Sequence, residues 1–140
     1  RERERERERG QMELNPVHKG SCHCGAVKFE VSLPDGFVDL ERCNCSMCRR
    51  RGAIMASAPL DGLKITEGED ALRLYRFGTK TAKHYFCSNC GIYTHHQERS
   101  KPNQYAFNVG CLEGVDPFEL GEVPVFDGIN HISDQQSGQQ

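Results

Sequence analysis

Three cysteines lie within six residues of one another in the stretch R-C-N-C-S-M-C-R-R, and we call Cys43, Cys45 and Cys48 the triplet. In an extended segment, residues i and i+2 point to the same side, and a turn can bring the third thiol back. All three sulfurs can therefore reach one ion. Structural zinc takes four protein ligands, whereas catalytic zinc takes three and keeps one position open. The triplet raises the question of where a fourth ligand would come from.

A second group of cysteines has the spacing of a closed zinc site. Cys22 and Cys24 lie in G-S-C-H-C-G just before a predicted strand, and Cys87 and Cys90 lie in C-S-N-C-G. The glycine that follows Cys90 permits a tight return of the chain. We call these four cysteines the quartet. Two pairs of thiolates predict a structural four-thiolate zinc site that joins two distant parts of the chain.

One thiol, Cys111, belongs to neither group. If Cys111 completed the triplet, the second site would be closed and structural. If it did not, the site would have three protein ligands and one open position, which is the catalytic arrangement. Spacing alone leaves both possibilities open, together with mixed partitions of the cysteines and an iron–sulfur cluster on the triplet.

The composition favours metal binding over disulfides and excludes a basic nucleic-acid footprint. The 140 residues include eight cysteines and carry a formal net charge of −2. No apolar run approaches the length of a membrane span, and no secretory signal precedes the core. We therefore expect a cytoplasmic protein without a membrane partner, in which cysteines stay reduced and bind metal.

The chain divides into one domain and two polar tails. The strict Arg-Glu alternation at the start packs neither as a helix nor as a strand, so residues 1–12 are predicted to form a disordered charged tail. Residues 133–140 are a second disordered tail of low complexity. Residues 13–132 are then a single zinc-binding β domain, which is large enough for one hydrophobic core.

Short alternating or apolar runs between Gly and Pro turns predict strands. The predicted strands cover residues 26–33, 52–59, 63–66, 71–77, 83–86, 92–96, 105–109 and 123–126. No segment sustains a helical period over three turns, so the pattern predicts an all-β antiparallel sandwich or open barrel. His95 and His96 are adjacent on a predicted strand and must point to opposite faces, so at most one can face a given site.

The cysteine motifs resemble those of the glutathione-dependent formaldehyde-activating enzyme family, which includes the centromere protein V relatives. The resemblance rests on G-S-C-H-C-G-A-V-x-F, C-N-C-S-M-C, H-Y-F-C-S-N-C-G and N-V-G-C-L-E-G-V, in that order. It implies an all-β fold similar to methionine sulfoxide reductase B. It also implies a structural zinc on the quartet and a second zinc on the triplet, whose fourth position takes water or the glutathione thiol. Cys111 is then a packed strand cysteine and not a ligand.

The resemblance implies a carbon–sulfur lyase that combines glutathione and formaldehyde into S-hydroxymethylglutathione and uses two zinc ions. Each thiolate adds negative charge to the second zinc, so nearby cations are needed, and Arg49, Arg50 and Arg51 follow the triplet directly. We expect them to screen the cluster or bind a glutathione carboxylate. The alternatives are a zinc-stapled binding module, a glutathione or formaldehyde carrier, and a thiol reductase that uses Cys111.

Overall fold

The computed structural model describes residues 17–77, 82–98 and 101–129. The two predicted tails, 1–12 and 133–140, lie outside the described residues, so the proposed domain limits stay predictions. The strands are β1 (Val17–Ser21), β2 (Lys28–Ser32), β3 (Val38–Cys43), β4 (Met55–Pro59), β5 (Leu63–Glu67), β6 (Leu72–Tyr75), β7 (Lys83–Cys87), β8 (Tyr93–Gln97), β9 (Gln104–Asn108) and β10 (Val125–Phe126). The helices are α1 (Ser46–Arg51) and the 3₁₀ turns Leu60–Gly62, Glu69–Ala71, Val109–Cys111 and Pro117–Glu119.

The strands form two open sheets, which confirms the all-β prediction. The smaller sheet has the order β1-β2-β5, and the larger has the order β10-β3-β4-β9-β8-β7-β6. Every pairing in them is antiparallel except that of the short β10 with β3. Since neither sheet closes on itself, the architecture is an open sheet structure and not a closed barrel.

Two strands and one helix were not predicted from the sequence. β1 reads V-H-K-G-S and β3 reads V-D-L-E-R-C, and neither has a continuous apolar face. β1 exists because it pairs along its whole length with β2, whose Phe29 and Val31 side chains are buried. β3 contains a register shift in its pairing with β4 and a positive φ of 53° at Asp39. Helix α1 has only six residues, too few to show a helical period.

The main core lies between the two sheets. Phe29 and Val31 come from β2 of the smaller sheet, and Ala56 and Phe107 come from β4 and β9 of the larger sheet. All four side chains are almost completely buried. Because close-packed cores hold their neighbours rigidly, this cluster fixes the two sheets relative to each other, and the cysteine groups lie at its margins.

No helix in the described part of the chain has both the length and the apolar character needed to cross a lipid bilayer.

Candidate metal centre

The quartet is assembled from two hairpins. Cys22 and Cys24 lie at the β1–β2 turn, and Cys87 and Cys90 lie at the β7–β8 turn. The four sulfurs all lie within 4.8 Å of one another. The sulfur of Cys24 is 3.6 Å from that of Cys22 and 3.8 Å from that of Cys87. A tetrahedron with zinc–sulfur bonds of about 2.3 Å has edges of roughly 3.8 Å, so this geometry fits a tetrahedral zinc ion.

Backbone N–H groups prepare the quartet to hold a cation. The Val27 N–H donates to the sulfur of Cys22 at 3.3 Å. Hydrogen bonds from the backbone N–H groups of Cys24 and Ile92 lower the pKa of the Cys90 thiol to about 6. Gly91 has a φ of 79° and donates to the Cys87 carbonyl at 2.8 Å, which is the predicted tight return. Cys22 and Cys24 lie outside the strands, where the chain turns between β1 and β2.

The triplet is formed at the junction of a strand and a helix. Cys43 is the last residue of β3, Cys45 caps the N-terminus of α1, and Cys48 lies inside α1. The three sulfurs lie within 4.8 Å of one another. The N–H of Cys48 donates to the sulfur of Cys45 at 3.3 Å, and the N–H of Cys45 lies 3.5 Å from the sulfur of Cys43. The predicted return of Cys48 is thus made by the first turn of a helix.

The three thiols of the triplet shift one another's pKa values. Hydrogen bonds from the Cys43 and Cys48 side chains lower the pKa of the Cys45 thiol far below its ordinary value. The pKa of Cys43 is raised, chiefly because its thiol is hydrogen-bonded to Cys45 and then to Cys48. Ionisation of one thiol therefore opposes ionisation of its neighbours, and a bound cation would allow all three to ionise.

Cys111 does not join the triplet. Its thiol is buried and lies 3.7 Å from the carbonyl oxygen of Tyr93. Burial raises the pKa of this thiol to about 12. Cys111 ends the 3₁₀ turn Val109–Cys111 and packs in the main core, so it is packed as expected but does not lie on a strand. All eight cysteines are free of disulfides.

The three arginines after the triplet occupy different environments. Arg49 and Arg50 are exposed, and Arg50 donates to the Ser46 carbonyl at 2.7 Å. Arg51 turns inward, and its Nη2 donates to the sulfur of Cys48 at 3.2 Å. Because Arg51 is three residues after Cys48 on a helix, the two side chains share a face.

Aromatic and histidine side chains surround the Arg51 guanidinium. Its central carbon lies 3.6 Å above the centroid of the Tyr93 ring. Its Nη1 lies 3.2 Å from Nδ1 of His84, and its Nη2 lies 3.4 Å from Nδ1 of His96. Since arginine can only donate, both Nδ1 atoms accept. The Tyr93 hydroxyl lies 2.7 Å from Nδ1 of His96.

The two adjacent histidines do lie on opposite faces of β8. His96 contacts Arg51 and Tyr93, whereas His95 stacks on Tyr85 with ring centroids 4.6 Å apart. Burial lowers the pKa of His95 to about 4. Burial, followed by the charge of Arg51, lowers the pKa of His96 well below its usual range. Both rings are therefore neutral at pH 7, and only His96 lies on the side of the triplet.

The backbone segment that contains β10 and the residues next to it packs against the triplet. Asn44 Oδ1 accepts from the N–H groups of Gly128 at 2.8 Å and Ile129 at 3.3 Å. Gly128 is buried, and a Cβ built there would lie 2.6 Å from the sulfur of Cys43 and 2.8 Å from Cβ of Cys45. Only a residue without a side chain lets the backbone approach this closely. We call residues 124–129 the covering segment.

The family model described as "Glutathione-dependent formaldehyde-activating enzyme" matches residues 17–122. The chain belongs to this family. A Halomonas elongata protein named "Putative glutathione-dependent formaldehyde-activating enzyme" is 36% identical over an alignment of 81 residues, and the match covers 51% of this chain and 50% of that protein. The chain thus spans about half the length of this curated relative. A crystal structure of a Rhodobacter sphaeroides protein, a Northeast Structural Genomics target, is 61% identical with a TM-score of 0.75 and covers 77% of this chain and 99% of that chain.

This member of the glutathione-dependent formaldehyde-activating enzyme family has donor sets that fit the expected metal ions. Both groups offer only thiols, the ligand type that zinc shares with other soft cations. The quartet supplies four sulfurs and the triplet three, and Cys111 lies apart from both. The geometry therefore separates a closed site from a site with one position not filled by a cysteine.

Several residues around the triplet were not found by sequence reasoning. Asn44 lies between two cysteines of the triplet and His84 lies in the motif H-Y-F-C-S-N-C-G, but neither was assigned a role. No local motif joins His84, Tyr93 or Gly128 to the triplet. One signal was present: had α1 been recognised, its spacing would have placed Arg51 on the same face as Cys48. The covering segment gave no comparable signal, because its contact with Asn44 spans more than 80 residues of sequence.

Proposed function

We propose that this protein is a zinc-dependent carbon–sulfur lyase of the S-(hydroxymethyl)glutathione synthase type, which acts on glutathione and formaldehyde. The observation that carries the proposal is the triplet itself. Three thiols converge there, while the other five cysteines are placed elsewhere, four in the quartet and one in the core. Membership of a family named for glutathione-dependent formaldehyde activation supplies the substrates.

We assign the quartet to a structural zinc and the triplet to a catalytic zinc. Zinc bound at the triplet would hold the glutathione sulfur as a thiolate at neutral pH, where a free thiol near pKa 8.5 is mostly protonated. The cysteines position that sulfur beside α1. The covering segment and the Arg51 side chain close two sides of the cluster.

The reaction joins the sulfur of the thiol to the carbon of formaldehyde. The sulfur lone pair forms the new carbon–sulfur bond, the carbonyl π pair moves to oxygen, and that oxygen takes a proton equivalent to the one that the thiol loses. No electrons are gained or lost overall. Formaldehyde is already a strong electrophile. The protein therefore needs only to hold the thiolate in position for attack on the carbonyl carbon.

Arg49 and Arg50 are our candidates for binding the glutathione carboxylates. Both are exposed on α1, directly beside the triplet. A planar guanidinium matches a carboxylate through two parallel hydrogen bonds. Arg51, which is directed inward onto Cys48, is placed to offset the charge of the cluster.

A thiol reductase that uses Cys111 has no support in the site geometry. A nucleophilic cysteine must be present as a thiolate, and burial raises the pKa of Cys111 to about 12. A carrier of glutathione-bound formaldehyde would use the same triplet and differs only in turnover. We also propose a cytoplasmic location, since the free thiols of the quartet and the triplet require a reducing compartment.

The test of this proposal is the rate at which glutathione and formaldehyde interconvert with their adduct, measured by exchange NMR at equilibrium. We expect the wild-type protein to accelerate exchange above the uncatalysed rate, and Cys45→Ser to return it to that rate. Cys111→Ala is the matched control and should keep the wild-type acceleration. A wild-type rate equal to the uncatalysed one would show a carrier or binding module instead of an enzyme.

A further inference from the structure

Of the three arginines that follow the triplet, Arg51 is the one whose guanidinium is directed into the site. Its Nη2 donates to the sulfur of Cys48 at 3.2 Å, and its plane lies on the Tyr93 ring at 3.6 Å. Its Nη1 and Nη2 also donate to Nδ1 of His84 and of His96. The Nε atom is buried without a hydrogen-bond partner among the described residues. A guanidinium held on so many sides has little freedom to follow a substrate.

We propose that Arg51 is a positioning residue for the metal cluster: it orients Cys48 and offsets the negative charge of the triplet, and it does not bind the substrate carboxylates. This inference rests on the proposed metal site of the triplet.

The charge balance gives the physical reason. A dication bound by three thiolates carries one net negative charge, and a substrate thiolate adds a second. Arg51 places a permanent positive charge in hydrogen-bond contact with one of those sulfurs. Hydrogen bonds from a charged donor are stronger than neutral ones, and burial strengthens them further. Arg51 therefore stabilises the ionised triplet before any substrate arrives.

Tyr93 supplies the platform that keeps Arg51 in place. The face of an aromatic ring attracts a cation, and here the ring is buried within the site. The Tyr93 hydroxyl has other partners, His96 and the Ala106 carbonyl. The ring and the hydroxyl therefore have separable roles.

The test is the affinity of the triplet for zinc without glutathione, measured by competition with a chromophoric chelator. Arg51→Met keeps an unbranched apolar stem and removes the charge, and we expect zinc at the triplet to bind about 10–100-fold more weakly, as for other residues that support metal ligands. Arg51→Lys should recover part of the loss, since it keeps the charge but cannot stack as a plane. The quartet serves as an internal reference and should keep its affinity.

Arg49→Met is the matched control, because Arg49 lies on the same helix with its side chain exposed. It should leave zinc affinity unchanged whatever its effect on glutathione binding. Wild-type zinc affinity at the triplet in Arg51→Met would overturn the proposal. If Arg51→Met fails to fold, Tyr93→Leu and Tyr93→Phe are compared instead. Tyr93→Leu should weaken zinc binding at the triplet, and Tyr93→Phe should not. Equal zinc affinities in these two variants would overturn the proposal.

These results separate the failure of this inference from the failure of the proposed function. If the wild-type triplet binds zinc but glutathione never changes that site, the lyase proposal fails and the role of Arg51 stands. If glutathione acts at the triplet but Arg51→Met binds zinc as the wild type does, only the role of Arg51 fails.

Discussion

Three consecutive arginines on α1 show how position within one helix separates identical side chains. Arg49 and Arg50 project into solvent, whereas Arg51 lies against the sulfur of Cys48 and the ring of Tyr93. Exposed cations contribute little to stability and are free to meet a charged ligand. The same residue type can therefore serve recognition at two positions and charge compensation at the third.

Gly128 is a second residue whose role depends on a close approach. A Cβ at this position would lie 2.6 Å from the sulfur of Cys43, so Gly128→Ala must either lift the covering segment or displace the cysteine. We expect the triplet to lose roughly 10-fold in zinc affinity, measured by chelator competition. Gly110→Ala is the control, since its Cβ would meet only Asn108 and Pro117. Equal zinc affinities in the two variants would show that the covering segment does not constrain the triplet.

The grouping of the cysteines into pairs and a triplet was predictable from sequence because it depends on short spacings. C-x-C and C-x-x-C place sulfurs together through local geometry alone, and the structure groups the quartet and the triplet as those spacings predict. The fate of Cys111 was left open by spacing, since it depends on burial in the core. The contacts of Arg51 with Tyr93 and the histidines, and those of Gly128, were not predictable, because they join segments distant in sequence.

At the scale of elements, the strongly alternating strands were recognised and the polar ones were missed. β2 shows its buried face as Phe29 and Val31 in the sequence. β1 and β3 are strands because of their partners, which a local pattern does not record. The helix α1 was missed because its six residues are stabilised by the Cys45 cap and by the Gly52 C-cap more than by an apolar stripe.

The two cysteine groups should differ in how much they stabilise these elements. The quartet links the β1–β2 hairpin to the β7–β8 hairpin across a separation of 63 residues between Cys24 and Cys87. The triplet links residues only a few positions apart. Closing a long loop removes much more entropy from the unfolded chain than closing a short one.

We therefore expect Cys87→Ser to lower the melting temperature of the zinc-loaded protein far more than Cys45→Ser does. The loss of a structural zinc ligand costs on the order of several kcal/mol. Differential scanning calorimetry of the two variants, each with its metal content determined, makes the comparison. Equal losses of melting temperature would mean that the division into a structural and a functional site is wrong.

At the scale of the whole molecule, the quartet and the triplet lie at different places relative to the two sheets. The quartet joins the smaller sheet to the larger one and is made of two hairpin turns. The triplet belongs to the larger sheet alone, where β3 leads into α1 and the covering segment returns beside it. We therefore propose that a metal at the quartet ties the two sheets together, while a metal at the triplet is left free to exchange a ligand.

The central claim is that the triplet binds a metal with one position open to a thiol. Cadmium NMR of the cadmium-substituted protein tests it directly, because each metal gives its own resonance and the shift reports the number of sulfur ligands. We predict two resonances, of which glutathione moves only the one that is lost in Cys45→Ser, while S-methylglutathione moves neither. A single resonance, or two that glutathione leaves in place, would contradict the account.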